Sequence, residues 1–270
     1  MPDSGIASLA PVAGLDVTLT DGVLSVTINR PDSLNSLITP VITGIADALE
    51  QAAADPGVKV VRLGGAGRGF SSGAGISSDD MSGSGGVPPD EIILAVNRLI
   101  RAIVALPHPA VAVVQGPAAG VGVSIALACD VVLASDKAFF MLAFTKIGLM
   151  PDGGATALVA ANIGRVRAMR MALLAERLPA AEALSAGLVS AVYPAEEFDA
   201  EVDKVIARLA AGPAVAFAKT KDAINAATLN ELEPALEREF KGQSGLLRAN
   251  DLREGTKAFQ EKRDPVFTDY

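Results

Sequence analysis

Short apolar strands alternate with helices along this chain, and two of the strands run straight into glycine-rich bends, which limits the fold more than any other feature. The bends are residues 64–75 (GGAGRGFSSGAG) and residues 116–122 (GPAAGVG). Ahead of them, Ser25 and Thr27 alternate with Leu24, Val26 and Ile28, the two-residue period of a half-buried strand over 23–28. Val41, Ile42, Ile45, Ala46 and Leu49 recur at three and four, so 39–54 reads as a helix that Asp55, Pro56 and Gly57 end. Further strands are expected over 58–63, 110–114 and 131–134, and further helices over 91–104 and 123–128. Such alternation predicts an α/β layered fold.

Strand signals stop near residue 192, and 195–211, 214–227 and 231–247 all read as helices. The expected organisation is a loose arm over 1–15, an α/β core over 16–208 and a helical region over 209–270 that packs on neighbouring copies. The stretch 79–89, rich in Gly, Ser and Pro, reads as a mobile loop placed where a substrate-facing flap belongs.

Aromatic residues are only 4% of the chain while half of it is hydrophobic, so the core must be built from small aliphatic side chains and closely approaching backbone. The formal net charge of −8 excludes a general nucleic-acid or anionic-membrane binder, which needs a broad positive face. No apolar run reaches the ~18 residues of a membrane span. The single Cys129 fits a buried small hydrophobe in a reducing compartment, so a cytoplasmic location is expected. No Cys, His and carboxylate cluster has ligand spacing, so no metal is expected.

Neither bend completes a nucleotide-binding motif. Phe70 stands where a dinucleotide fingerprint needs its third Gly or Ala, and no Gly-Lys-Ser/Thr occurs. What remains is a pair of turns where backbone can approach a ligand. The second leads into an apolar helix starting near Val121, whose first N–H groups lack intrahelical acceptors and suit an oxyanion. Asp152, in the run Met150-Pro151-Asp152-Gly153-Gly154, has two readings: a cap for the helix beginning at Gly153, or an acid/base. Ser124 as a nucleophile would need a base, and the only histidine, His108, lies between Pro107 and Pro109. Asp130 and Asp136 read as turn acids, and Asp79 and Asp80 as solvated.

Six segments resemble, in order, the motifs of the enoyl-CoA hydratase/isomerase (crotonase) family: 23–37 (VLSVTINRPDSLNSL), 68–77 (RGFSSGAGIS), 117–131 (PAAGVGVSIALACDV), 146–155 (KIGLMPDGGA), 180–189 (AAEALSAGLV) and 258–267 (AFQEKRDPVF). The resemblance implies a spiral of strand-strand-helix turns with a C-terminal helical region, assembled as a homotrimer or a dimer of trimers. It also implies an acyl-CoA thioester whose carbonyl is bound by the N–H groups of Ala74 and Val121, beside Gly73 and Gly120. The Ser72 carbonyl would face the adenine, and Phe259 and Lys262 would help to cover the CoA nucleotide. Arg68 and Arg263 are further candidates for the CoA phosphates. No separate cofactor is implied, since coenzyme A belongs to the substrate.

The family's hydratases use two glutamates, and the matching positions here hold Ser124 and Phe144. Asp152 matches the acidic residue that shuttles a proton in the family's isomerases, so the resemblance favours a double-bond shift from 3-enoyl-CoA to 2-enoyl-CoA. A hydratase of low activity and a catalytically silent acyl-CoA binder are the alternatives.

Overall fold

The computed structural model describes residues 9–75 and 89–269. Its spine is a six-stranded sheet in the order β1 (Leu15–Thr20), β2 (Val23–Ile28), β3 (Val60–Gly65), β4 (Ala110–Val114), β6 (Val131–Ser135), β9 (Ala191–Tyr193). A small second sheet joins β5 (Pro117–Ala119), β7 (Phe139–Met141) and β8 (Leu178–Pro179). β1 and β2 pair antiparallel, with Val17 opposite Val26, and every later pair in the spine is parallel. Asp21 and Gly22 join the hairpin at φ 51° and 83°, the two-residue turn that an Asp-Gly pair favours because both positions need positive φ.

Parallel strands between helical layers are apolar on both faces, and β4 (AVAVV) is buried at every position. Val60, Val111, Val113 and Leu133 point to one side and pack on Phe198, Val202 and Ile206 of a helix at Phe198–Ala210. Val61, Leu63, Ala110, Ala112, Val114 and Ala134 point the other way into the main core. That core is closed by α1 (Thr39–Ala54), α2 (Pro89–Ala105) and α3 (Val121–Ala128). All eight residues of α3 are buried, which its small side chains allow.

After α4 (Ala155–Leu174), interrupted at Gly164 (φ 74°), come α5 (Ala180–Ala186), α6 (Phe198–Ala210), α7 (Ala214–Thr228), α8 (Leu232–Leu246) and α9 (Asn250–Glu261). α7 buries no residue fully and is tied down by Lys221, whose ammonium lies 3.0 Å from Asp130 Oδ2 and donates to Ile103 O at 2.9 Å. α8 buries Leu232, Ala235, Leu236, Glu239 and Gln243. α9 packs on a 3-10 turn at Ala143–Ile147, with Gly255 against the Ile147 backbone.

The expected helix over 39–54 and strands over 23–28 and 110–114 have the observed bounds. The expected strand at 58–63 starts two residues later, because Val58 N–H closes a turn on Asp55 O. The expected helix at 195–211 starts at Phe198, because Glu197 N–H turns back to Pro194 O. β1, the second sheet, β9 and α5 were not expected; α4 was expected only as a helix beginning at Gly153, and α9 falls within the helical region expected over 209–270. Residues 1–8 of the expected arm and 79–88 of the expected flap lie outside the described residues. Among the described residues, no helix is long and apolar enough to cross a membrane.

Candidate active site

The first bend is held from within by two side-chain amides. Asn35, buried at φ 57°, donates to Ala66 O at 2.8 Å and Gly69 O at 2.7 Å. Gln115 donates to Gly65 O at 2.6 Å and Gly69 O at 2.8 Å. These donors satisfy carbonyls that the tight bend turns inward, where no strand partner can reach them. Ser71 Oγ donates to Asn35 O at 2.9 Å and accepts the Gly73 N–H at 3.1 Å.

The two bends lie directly on each other. Ser71 N–H donates to Pro117 O and Ala119 N–H to Ser71 O. A Cβ at Gly73 (φ 90°) would fall 2.8 Å from Ala119 O, and one at Gly120 (φ 54°) would fall 3.6 Å from Gly73 Cα. Only glycine permits both the positive φ and this approach.

That contact leaves amides over on both bends. Gly73 N–H is engaged by Ser71 Oγ, Gly75 N–H by Leu37 O, Gly120 N–H by Met141 O and Val123 N–H by Gly120 O. Among the described residues, the N–H groups of Ala74, between Gly73 and Gly75, and of Val121 and Gly122, between Gly120 and Val123, meet no acceptor. Val121 opens α3, so its amide also carries the positive end of the helix dipole.

Ser124 lies one turn into α3, about 4.5 Å along the axis from Val121. It is buried and donates its hydroxyl to the main-chain carbonyl of Asp152 at 2.8 Å. The only histidine is elsewhere: His108 Nε2 meets Ala52 O at 3.1 Å. Phe144 is buried, with its Cζ 3.8 Å from where a Gly120 Cβ would stand, so an aromatic edge flanks the second bend.

Asp152 is 6% exposed. Its Oδ2 accepts from Gln243 Nε2 at 2.9 Å, and its Oδ1 has no hydrogen-bond partner among the described residues. Burial pushes its carboxyl up to about 7, with the Gln243 hydrogen bond opposing and the negative charge of Glu239 adding to the rise. Its side chain does not cap α4. That task falls to Glu239, which accepts from Gly154 N–H at 2.6 Å, Thr156 N–H at 2.9 Å and the Thr156 hydroxyl. The capping reading of Asp152 is therefore corrected: the helix start is already supplied by a carboxylate from α8.

The remaining expected residues sit apart from this centre. Ser72 is half-buried, with N–H to Leu34 O and hydroxyl to Ser33 O. Phe259 is 64% exposed on α9, and Lys262 ends that helix at φ 54°, exposed. Arg263 is engaged by Glu254 and Glu261, and Arg68 is exposed. Asn35, Gln115, Glu239 and Gln243 were missed by sequence reasoning. Of these, Asn35 lay inside a quoted motif; the other three act across sequence gaps that no local pattern reveals.

A family model for enoyl-CoA hydratase/isomerase matches residues 18–270. The chain is 38% identical over 252 residues to a probable enoyl-CoA hydratase of Rhodobacter capsulatus, covering 93% of this chain and 96% of that one. It is 37% identical over 253 residues to the 1,2-epoxyphenylacetyl-CoA isomerase of Escherichia coli, covering 92% and 95%. A crystal structure of an enoyl-CoA hydratase from Mycobacterium avium subsp. paratuberculosis superimposes with a TM-score of 0.91 at 77% identity, covering 96% of this chain and all of that one.

An α/β spiral with two facing glycine bends and a C-terminal run of helices is the crotonase fold. The chain belongs to the enoyl-CoA hydratase/isomerase family.

Proposed function

We propose that the chain binds an acyl-CoA thioester and shifts its double bond from carbon three to carbon two, with Asp152 as the acid/base. The observation that carries this reading is the state of that carboxyl: buried, raised to about 7, with one oxygen held and the other without a partner among the described residues. A group poised near neutrality can take a proton and return it.

The steps balance without a co-reactant. Asp152 removes a proton from carbon two of a 3-enoyl thioester, and the electron pair moves onto the thioester oxygen. The Ala74 and Val121 N–H groups receive that developing charge, each worth about 3 kcal/mol when preorganised. The same proton then goes to carbon four, and the electrons return to leave a 2-enoyl thioester. Phe144 beside Gly120 keeps water from the enolate. Ser124, one turn along α3, holds the Asp152 main chain.

The family's hydratase names favour a second reading, water addition to a 2-enoyl thioester. It needs carboxylates where this chain has Ser124 and Phe144, so Asp152 alone would have to position water. The same family context supports a homotrimer or dimer of trimers through α7 to α9, where the exposed Val215 of α7 supplies apolar surface.

Purified protein should interconvert 3-enoyl-CoA and 2-enoyl-CoA and hydrate crotonyl-CoA poorly. Asp152→Asn should lower isomerisation by 10²–10⁴-fold, the span of general acid/base catalysis, with KM little changed. Equal turnover in that variant removes Asp152 from the reaction. Robust crotonyl-CoA hydration favours the hydratase instead, and CoA binding without solvent deuterium exchange into the acyl chain favours a silent binder.

A further inference from the structure

Gln243 is buried at 2% exposure on α8, and both ends of its side-chain amide are engaged. Its Oε1 accepts the Met150 N–H at 3.1 Å, and its Nε2 donates to Asp152 Oδ2 at 2.9 Å. A main-chain N–H can only donate, so Met150 fixes which end of the amide is oxygen. The end facing Asp152 is then always NH2, a donor with no lone pair to accept a proton. An acidic hydrogen on Oδ2 would find no acceptor in that amide and would leave it only a hydroxyl oxygen, a weaker acceptor than the carbonyl. Protonated Asp152 must carry its hydrogen on Oδ1, the oxygen without a partner among the described residues.

We infer that Gln243 is a positioning residue that assigns the transferred proton to Oδ1 of Asp152, with Met150 N–H preventing the amide from turning over. This rests on the reading of Asp152 as the acid/base. It gives the C-terminal helix α8 a part in the chemistry beyond packing. Ser124 on α3, which donates to the Asp152 main chain, is uncharged, as is Val96 on α2, which lies against the next residue, Gly153. On α4, Thr156 is engaged by Glu239. Glu239, one turn before Gln243 on α8, is the charged group bearing on Asp152, and its three donors hold it at the start of α4.

The Gln243 donor favours ionised Asp152, so its loss should make the carboxyl harder to ionise. In Gln243→Met the ascending limb of the kcat–pH profile should move up by about one pH unit, with KM nearly unchanged. Gln243→Glu keeps an oxygen for Met150 N–H and adds a negative charge, so its limb should move further. In isotope-edited infrared spectra of wild type below pH 6, the Asp152 C=O stretch should be lowered by the donor on Oδ2, and in Gln243→Met it should rise. Unshifted limbs in both variants, or an unshifted C=O stretch, overturn the inference. If Gln243→Met does not fold, the limb of Gln243→Glu decides alone. Asp152→Asn, run beside them, separates the two readings. Its retained activity sinks the acid/base assignment itself, whereas its inactivity together with unshifted Gln243 variants sinks only the role of Gln243.

Discussion

Replacing Asp152 with Asn should stabilise the protein above neutrality while it lowers turnover. Burial raises this carboxyl from 3.8 to about 7. That separation of about three pH units, at 1.36 kcal/mol each, corresponds to about 4 kcal/mol. The sign follows from which state binds the proton. Between about pH 4 and pH 7 the native protein keeps a proton on Asp152 that the unfolded chain has released. The stability this represents is complete below the unfolded value and is lost as pH rises through about 7. The Asn variant still offers Gln243 an oxygen and never ionises, so it escapes the loss.

Urea denaturation of both proteins, at one protein concentration because assembly would otherwise contribute, reads the difference. Roughly 2.5 of the 4 kcal/mol should appear between pH 5 and pH 8 in favour of the variant. Titrating groups other than Glu239, whose charge bears on Asp152, are common to both proteins and cancel. Stability curves that run parallel across this range would show a solvated carboxyl, and proton transfer inside a dry site would lose its basis.

Gly73→Ala should cut turnover at least 100-fold, because a Cβ 2.8 Å from Ala119 O must push the two bends apart and misplace the Ala74 N–H. A steady-state assay with retained CoA binding checks it, and unaltered kcat would show that the bends need no such contact. Glu239→Ala should lower stability by about 1–3 kcal/mol, since it removes the acceptor for the amides that open α4 and leaves them buried. Thermal unfolding of the variant tests this, and an unchanged midpoint would mean that α4 starts without help.

Much of the spine was legible because its signals are local. The 23–28 alternation, the three-and-four spacing of 39–54 and the continuous apolar run of β4 each report one element's surroundings. β5, β7, β8 and β9 are two or three residues long, too short to show any period. β1 was overlooked although Asp21-Gly22 marks its turn with β2. Of α4 only the start, near Gly153, was legible: it leaves Val166, Leu173 and Leu174 exposed, so no single apolar face marks its length. At the site, the glycine bends could be read because backbone geometry restricts residue type. The choice between capping and chemistry for Asp152 could not, because it depends on Glu239 and Gln243, 85 and 91 positions from the groups they bind.

That spacing sets an order of events during synthesis. When residue 152 leaves the ribosome, both glycine bends have already emerged, whereas the side chains that hold Asp152 Oδ2 and the start of α4 have yet to be made. A nascent or prematurely terminated chain lacking residues 239 and 243 has the residues of both bends but neither the acceptor for the Gly154 and Thr156 amides nor the donor to Asp152.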